Sequence, residues 1–360
     1  MREQDWLVAL SSLERVGWAS VDRILGVVRH LSELAEEASQ PLVRAAGIAA
    51  PLAARIRQEM QPQRVEERLQ EMGAQGYRWV TLWDAAYPAL LREVAQPPWV
   101  LYYKGDWGLL RQPTLAVVGT RRATSYGQMV THKLVQELAS AGWCIVSGMA
   151  FGIDTYAHQA ALAAGGSTLA VLGTGINTVY PQGNRSLYDR LVNEGLVISE
   201  FPGQTSIHPG LFPRRNRIVS GLSLGVVVME AGERSGALIT ADLALEQGRE
   251  VFAVPGPITS PYSRGPHQLL KQGAKLLQQP SDVWDEFPWL QRPDPVQGEL
   301  SPPLTAEERN VLELMGYTQV SIEQLASASR STPAQLYPIL LQLQLKKRIR
   351  QLPGSFYVRV

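Results

Sequence analysis

The sequence predicts an α/β fold: a doubly wound, mostly parallel sheet between a small all-α N-terminal domain and a C-terminal helix-turn-helix unit with a wing. Three observations carry this. Six short apolar runs alternate with helical stretches through the middle of the chain. Residues 1–75 show helical spacing throughout. After a proline-rich stretch the chain ends in helix, turn, helix and a strand pair.

Within 1–75, WLVALSSL, VDRILGVV and RVEERLQEM place apolar residues at helical intervals. VGWASVDRIL reads as a short turn entering a helix, as in SAM or helix-hairpin-helix domains that touch DNA backbone or partner proteins. With 9 basic and 11 acidic residues this region makes a poor electrostatic clamp, so a structural or partner-binding role is expected. From 76 to 288, strands are predicted at 115–118, 143–147, 167–172, 196–199, 225–229 and 250–254. Helices such as MVTHKLVQELASAG and LITADLALEQG separate them, the second closing on Gly248. Continuous apolar strands joined through helices form a parallel sheet covered on both faces, a Rossmann-like architecture. Residues 289–302 are rich in proline and read as an extended linker. In 303–360, LTAEERNVLELM, SIEQLASAS and PAQLYPILLQLQ read as helices, and RIRQL and SFYVRV as the strands of a wing. This winged-helix tail has 7 basic and 4 acidic residues, with KKRIR at 346–350. Winged helices bind duplex DNA or proteins; Pro338, inside the would-be recognition helix, should kink it and tells against duplex binding.

Composition sets limits. The 360 residues are 45% hydrophobic and carry a net charge of only +1, so any nucleic-acid surface must be local. The single cysteine, Cys144, leaves no intramolecular disulfide and no cysteine-based metal site; WCIVSG reads as a buried strand. The five histidines are scattered without metal-ligand spacing, and neither a metal nor a cofactor is expected. MREQDWLVAL carries two acids before its apolar residues, unlike a signal peptide, and no apolar run approaches bilayer length, so a cytoplasmic location is expected.

An open parallel sheet binds ligands beyond the carboxyl ends of its strands, which makes the loops there the candidate site. The most informative stretch is FPRRNRIVSG, Phe212 to Gly221. Phe212 offers a flat ring, Arg214, Arg215 and Arg217 offer forked cationic donors, and Asn216 offers an amide. A ring beside guanidiniums suits a single-stranded nucleic acid, because every base has a π-face and every phosphate a charge. The alternative is a surface loop whose arginines pair with local carboxylates. In GTRRATSYG, Gly119 lets the backbone approach an anion, Thr120, Ser125 and the next helix start can hydrogen-bond it, and Arg121 and Arg122 add charge. This is neither a Walker A loop nor a full GxGxxG. In SGMAFGIDTYAH, Gly148 and Gly152 allow close backbone approach. Asp154 and His158 share a helix face and could form an acid–base dyad; the preferred reading is that Asp154 caps the helix and His158 holds it in place. In GTGINTVYPQGNRSL, Gly173 and Gly175 are too few for a dinucleotide fingerprint, while Tyr180, Asn184 and Arg185 could extend a polar groove. In EAGERSGALITA, Gly232, Ser235 and Gly236 open a helix, with Thr240 one turn in, as a second anion cradle. Four such loops along one edge could track several consecutive phosphates; a single nucleotide would need fewer.

Taken in order, VVGTRRATSYG, SGMAFGIDTYAH, YPQGNRSL, SEFPG, FPRRNRIVSG, EAGERSGALITA, VFAVPGPI and GPHQLLKQGAKLL resemble the DNA-processing protein A family, called DprA or Smf, over residues 105–280. The resemblance implies a cytoplasmic protein that is not an enzyme and needs no cofactor. It implies binding of single-stranded DNA without sequence specificity and loading of the recombinase RecA onto it, in natural transformation and homologous recombination. It assigns backbone phosphate to Gly119, Thr120 and Arg121, and base stacking to Phe212. Arg122, Gly148, Asn184, Arg185, Arg214, Arg215, Asn216, Arg217, Ser235, Gly236 and Thr240 complete the DNA-binding set. It also implies a homodimer joined through His267, Leu270 and Leu276; the other reading of that segment is a helix packed on the sheet. Two positions depart from the family pattern. Phe151 stands where members often have a basic residue, and His208, Pro209 and Gly210 precede Leu211 where members carry a lysine. A weaker or more pH-sensitive grip through His208 would follow.

Two rival functions remain. Glu200 and Glu230 both end strands and could serve as acid and base in a nucleotide-processing hydrolase like the lysine-decarboxylase-like phosphoribohydrolases, although the PGGxGTxxE motif of that group is missing. Such glutamates can equally hold the arginines of the groove, the preferred reading. The second rival is a duplex-DNA regulator acting through the winged helix.

Overall fold

The computed structural model describes residues 1–360 apart from 204, 206, 207, 209, 291–303, 316–318, 347, 353 and 360. It contains two compact units, Met1–Pro293 and Asp294–Val360. The linker expected at 289–302 lies, from residue 291 on, outside the described residues.

The first unit opens with α1 (Glu3–Ser11), α2 (Trp18–Leu25), α3 (Gln40–Ala45), α4 (Ala50–Glu59) and α5 (Pro62–Ala74). Proline in the first turn of α4 and of α5 costs no hydrogen bond there, since those N–H groups have no partner inside the helix. These helices share one core with the sheet: Leu7, Leu10, Ile24, Ile56 and Met60 join Val100, Tyr102, Leu172 and Val197.

Next come β1 (Arg78–Thr81), α6 (Ala89–Arg92), β2 (Val100–Gly105), β3 (Thr114–Val118), α7 (Ser125–Ser140), β4 (Cys144–Ser147), α8 (Ile153–Ala163), β5 (Thr168–Gly175), α9 (Arg185–Glu194) and β6 (Leu196–Phe201). After them follow α10 (Leu211–Gly221), β7 (Gly225–Val228), α11 (Gly236–Glu246), β8 (Glu250–Ala253), α12 (Arg264–Lys271), β9 (Lys275–Leu276) and α13 (Ser281–Glu286). The strand order is β1-β2-β6-β5-β4-β3-β7-β8-β9. From β6 to β9 every pairing is parallel, while β1 and β2 form an antiparallel edge. The six predicted strands are all present, and β1, β2 and β9 extend them.

Strand periodicity builds the layers. Leu115 and Val117 face α7 and α8, whereas Ala116 and Val118 face α10 and α11. Ile218 and Val219 are fully buried in that second layer, each contributing roughly 2 kcal/mol through burial. Cys144 is buried in β4, and burial pushes its thiol up to about 12, so it is an inert core residue. The strand order reverses at β3, which pairs with β4 on one side and β7 on the other. A crevice must open there, because the connections on either side leave toward opposite faces.

The second unit holds α14 (Ala306–Met315), β10 (Val320–Ser321), α15 (Ile322–Ser329), α16 (Pro333–Leu345), β11 (Ile349–Leu352) and β12 (Phe356–Arg359). Its antiparallel sheet has the order β10-β12-β11, and Leu312, Leu325, Leu336, Leu340, Leu343 and Tyr357 form its core. This is the expected winged helix. Pro338 lies inside α16 and removes one rung of its hydrogen-bond ladder.

Candidate nucleic-acid interface

A groove of about 560 Å³ opens at the strand-order reversal. It is lined by Val118 at the end of β3 and by Gly119, Thr120 and Arg121 after it, by Gly148, Ala150 and Asp154 after β4, and by Tyr180 after β5. Helix α10 contributes Phe212, Pro213, Arg215, Asn216 and Val219, and the start of α11 contributes Ser235, Gly236, Ala237, Ile239 and Thr240.

Glu230, at the end of β7, anchors the β3 loop. The Thr124 N–H and hydroxyl donate to its carboxylate at 2.9 and 2.6 Å, and the Thr120 N–H donates to its carbonyl at 2.7 Å. The Thr120 amide is therefore engaged with protein. The Thr120 hydroxyl accepts from the Arg122 N–H at 3.2 Å, a bond that does not use its own proton. Gly152 has φ of 78°, and a Cβ there would overlap the Thr120 carbonyl, so glycine lets the β4 loop touch the β3 loop. Ser235 caps α11 by accepting from the Ala237 N–H at 3.3 Å, which directs the positive end of that helix at the groove.

Helical periodicity sorts the side chains of α10. Phe212, Arg215, Asn216 and Val219 follow i, i+3, i+4, i+7 and line the groove. The Phe212 ring lies 5.3 Å from that of Tyr180, and the Arg121 guanidinium sits over it at 5.9 Å. A smaller recess of about 80 Å³ beside them is lined by Arg121, Phe151, Tyr180, Phe212 and Arg215, with Phe151 49% exposed.

Arg215 forms the floor. Its Nη1 donates to the Val171 carbonyl at 2.7 Å, and a Cβ on residue 148 would overlap its guanidinium, so glycine at 148 leaves the arginine its place and any side chain there would have to push it aside. Its Nε is buried without a hydrogen-bond partner among the described residues. Asp154 supplies the counter-charge. Burial raises the Asp154 carboxyl, Arg215 opposes that rise, and desolvation lowers Arg215 in turn. Asp154 accepts from the Ala150 N–H at 3.3 Å, and His158 is engaged elsewhere. The His158 Nε2 meets the Gly148 carbonyl at 2.7 Å and Nδ1 meets the Thr168 hydroxyl at 2.8 Å. A carbonyl only accepts, so Nε2 carries the proton. Burial lowers this histidine to about 4 and keeps it neutral. Asp154 and His158 are thus two separate braces and not a dyad. His158 holds the helix in place as expected, but Asp154 does not cap it, because the N-cap of α8 is Gly152 and Asp154 faces the β4 loop and Arg215 from inside the first turn.

Several expected contacts lie elsewhere. Arg217 is turned away from the groove onto Glu200, at 2.6 Å, and Arg214 lies over the Phe201 ring at 6.0 Å, because both project from the opposite face of α10. The Asn184 amide is buried and donates to the Met149 carbonyl at 2.9 Å and the Thr155 hydroxyl at 3.0 Å, so it holds the β4 loop from behind. Arg185 pairs with Asp189 at 3.1 Å one turn along α9, and Arg122 is exposed outside the groove lining. Of the two strand-ending glutamates, Glu200 holds an arginine and Glu230 holds a loop instead. They end strands four spacings apart, about 19 Å at ~4.8 Å per strand. Carboxylates working as an acid–base pair in glycoside hydrolysis lie within about 10 Å. In the last segment, His267 Nε2 meets the Gly256 carbonyl at 3.0 Å, Leu270 packs partly into the core, and Leu276 is 46% exposed on β9, the outer strand.

Sequence reading overlooked Asp154 as the counter-ion of Arg215, and Val219 and Ile239 as apolar lining. The signal for Val219 was available in the seven-residue interval from Phe212. Among the described residues, no three His, Cys, Asp or Glu side chains cluster as metal ligands, and no helix is long and apolar enough to cross a membrane.

The family model of DNA recombination-mediator protein A matches residues 78–288, and that of the DprA winged helix domain matches 295–355. The DNA processing protein DprA of Bacillus subtilis is 44% identical over 215 residues, 59% of this chain and 72% of the relative. Protein Smf of Escherichia coli is 40% identical over 283 residues, 76% of this chain and 75% of the relative. The X-ray structure of DNA processing protein A from Streptococcus pneumoniae aligns with a TM-score of 0.68 and 34% identity, covering 78% of this chain and 97% of that one. The Helicobacter pylori DNA processing protein A, described for its unique single-stranded-DNA binding mode, aligns with a TM-score of 0.54 and 30% identity, covering 59% and 97%.

Proposed function

This chain belongs to the DNA recombination-mediator protein A family, DprA/Smf, and from that premise we propose that it binds single-stranded DNA without sequence specificity and delivers it to the recombinase RecA. The observation that carries the reading is the meeting of Arg121, Phe212 and Tyr180 over a groove faced by the start of α11. A cation above a ring can neutralise a phosphate while the ring stacks on the adjoining base. Neither contact reads base identity, so binding tolerates sequence. The Helicobacter pylori relative, described for binding single-stranded DNA, supports the same substrate class. Pairing through β9, with Leu276 exposed on the outer strand, would join two grooves into one longer track.

The test is binding to labelled single- and double-stranded oligonucleotides across a salt series, for the full chain and for a chain lacking 303–360. Tight single-strand binding that falls steeply with salt and survives the deletion is expected. Loss of DNA binding on deletion would instead identify a duplex regulator acting through the winged helix. Handover is read as the rate of RecA filament formation on the same strand, which should rise when the protein is present.

A further inference from the structure

Three arginines within four residues, Arg214 to Arg217, look like one cationic patch, but the helix divides them. Phe212, Arg215 and Asn216 reach the groove, while Arg217 points to the far side of α10. Each of its three guanidinium nitrogens makes a hydrogen bond there. Nη2 donates to Glu200 at 2.6 Å, Nε to the Gln96 carbonyl at 3.1 Å, and Nη1 to the Arg214 carbonyl at 3.1 Å. The two charged side chains are only 12% and 11% exposed. Glu200 lies one residue before the end of β6, and Gln96 lies in the loop before β2, so the pair ties α10 to the sheet and to that loop together. Among the described residues the second oxygen of Glu200 is buried without a hydrogen-bond partner, and Arg217 is the ion-pair partner of this carboxylate. Removing either member strands a buried charge, the costly way to break such a pair.

We propose that Glu200 and Arg217 are positioning residues for the groove: their ion pair fixes the rotation and height of α10, and through it the angle at which Phe212 and Arg215 meet the strand. The proposal rests on the single-stranded DNA reading. It separates sharply from direct contact, because the two alternatives give Glu200 opposite signs. If Arg217 held a phosphate, the carboxylate beside it would oppose DNA, and Glu200→Gln would strengthen binding. If the pair positions α10, Glu200→Gln weakens binding as Arg217→Gln does.

The experiment is anisotropy titration of a fluorescent oligothymidine, and of an abasic strand of equal length, at several salt concentrations. The proteins are the unaltered chain, Glu200→Gln, Arg217→Lys and the exchanged pair Glu200→Arg with Arg217→Glu. Glu200→Gln and Arg217→Lys are each expected to weaken oligothymidine binding roughly tenfold or more, since lysine keeps the charge but loses the three-way fork. The salt dependence should keep its slope, because no phosphate contact is removed. Preference for oligothymidine over the abasic strand should shrink, because the displaced ring stacks poorly, and the exchanged pair should recover part of both. Stronger binding by Glu200→Gln, or unchanged binding by Arg217→Lys, overturns the proposal. Should Glu200→Gln fail to fold by thermal melting, Glu200→Asp takes its place: it keeps the charge but shortens the reach to Arg217, so weaker binding supports the proposal and unchanged or stronger binding overturns it. Absence of strand binding by the unaltered chain defeats the DNA reading itself, and the proposal with it.

Discussion

Arg121→Ala isolates the electrostatic part of the groove. Arg121 is exposed, lines the groove at the end of β3, and sits over Phe212 at 5.9 Å. If it neutralises one phosphate, its removal lowers the slope of log affinity against log salt by about 0.7, the single-strand value per contact. Between 50 and 200 mM salt that slope corresponds to about a 2.6-fold change in affinity. The ratio of unaltered to Arg121→Ala affinity should therefore shrink by about that factor over the same range. The ring beneath remains, so stacking persists and the loss is the same on every sequence. Anisotropy titrations at five or more salt concentrations measure the slope directly. Parallel lines for the two proteins would refute the assignment, because a contact that releases no counterion is not a phosphate contact.

Other perturbations probe different layers of the site. Phe212→Ala should cost about 1–3 kcal/mol of single-strand affinity at every salt concentration and leave the slope unchanged, the reverse of Arg121→Ala. A changed slope with unchanged low-salt affinity would exclude stacking. Gly148→Ala places a methyl group in the Arg215 guanidinium, so it should lower both melting temperature and strand affinity; an alanine variant that matches the unaltered chain in both would show that Arg215 is not the floor. His158 should make the fold acid-sensitive. Its folded value, about 4, lies below the ordinary 6.5, so the unfolded chain takes up the proton first. Its contribution to stability is lost as pH falls from about 6.5 to about 4, by roughly 3 kcal/mol at the lower end. Thermal melting from pH 7 to pH 4 should show this fall, and His158→Gln should flatten it; parallel pH profiles would remove His158 as the cause.

Much of the fold was legible because burial on both faces leaves a signature that needs no partner. Strands such as Leu115–Val118 and Gly225–Val228 are apolar at every position, and only a sheet covered on both sides allows that. Strands β1 and β2 escaped the reading although Val100–Tyr103 is as apolar as the others, because their connection is antiparallel and breaks the strand–helix alternation. In the site, Gly119 to Arg121 was legible as a strand-to-helix loop, and Phe212 as a ring beside cations. The acid–base idea for Glu200 and Glu230 was open in sequence because both end strands; it closes only when the strand order puts β5, β4 and β3 between them.

What the chain determined by itself is therefore the covered parallel sheet, the edge on which its loops gather, and the residue types offered there. Which of those residues face outward was decided by packing. A run such as Arg214 to Arg217 is one patch in a list of letters, but α10 turns about 100° per residue, and its buried face is fixed by Ile218 and Val219. Once that face is set against the sheet, Arg215 goes to the floor over Asp154 and Arg217 goes behind to Glu200. The same logic moved the Asn184 amide inward, where the carbonyls of a tight loop needed a donor more than the solvent did. Charge attracts a strand only where the backbone leaves it free, and that freedom is a property of the folded chain.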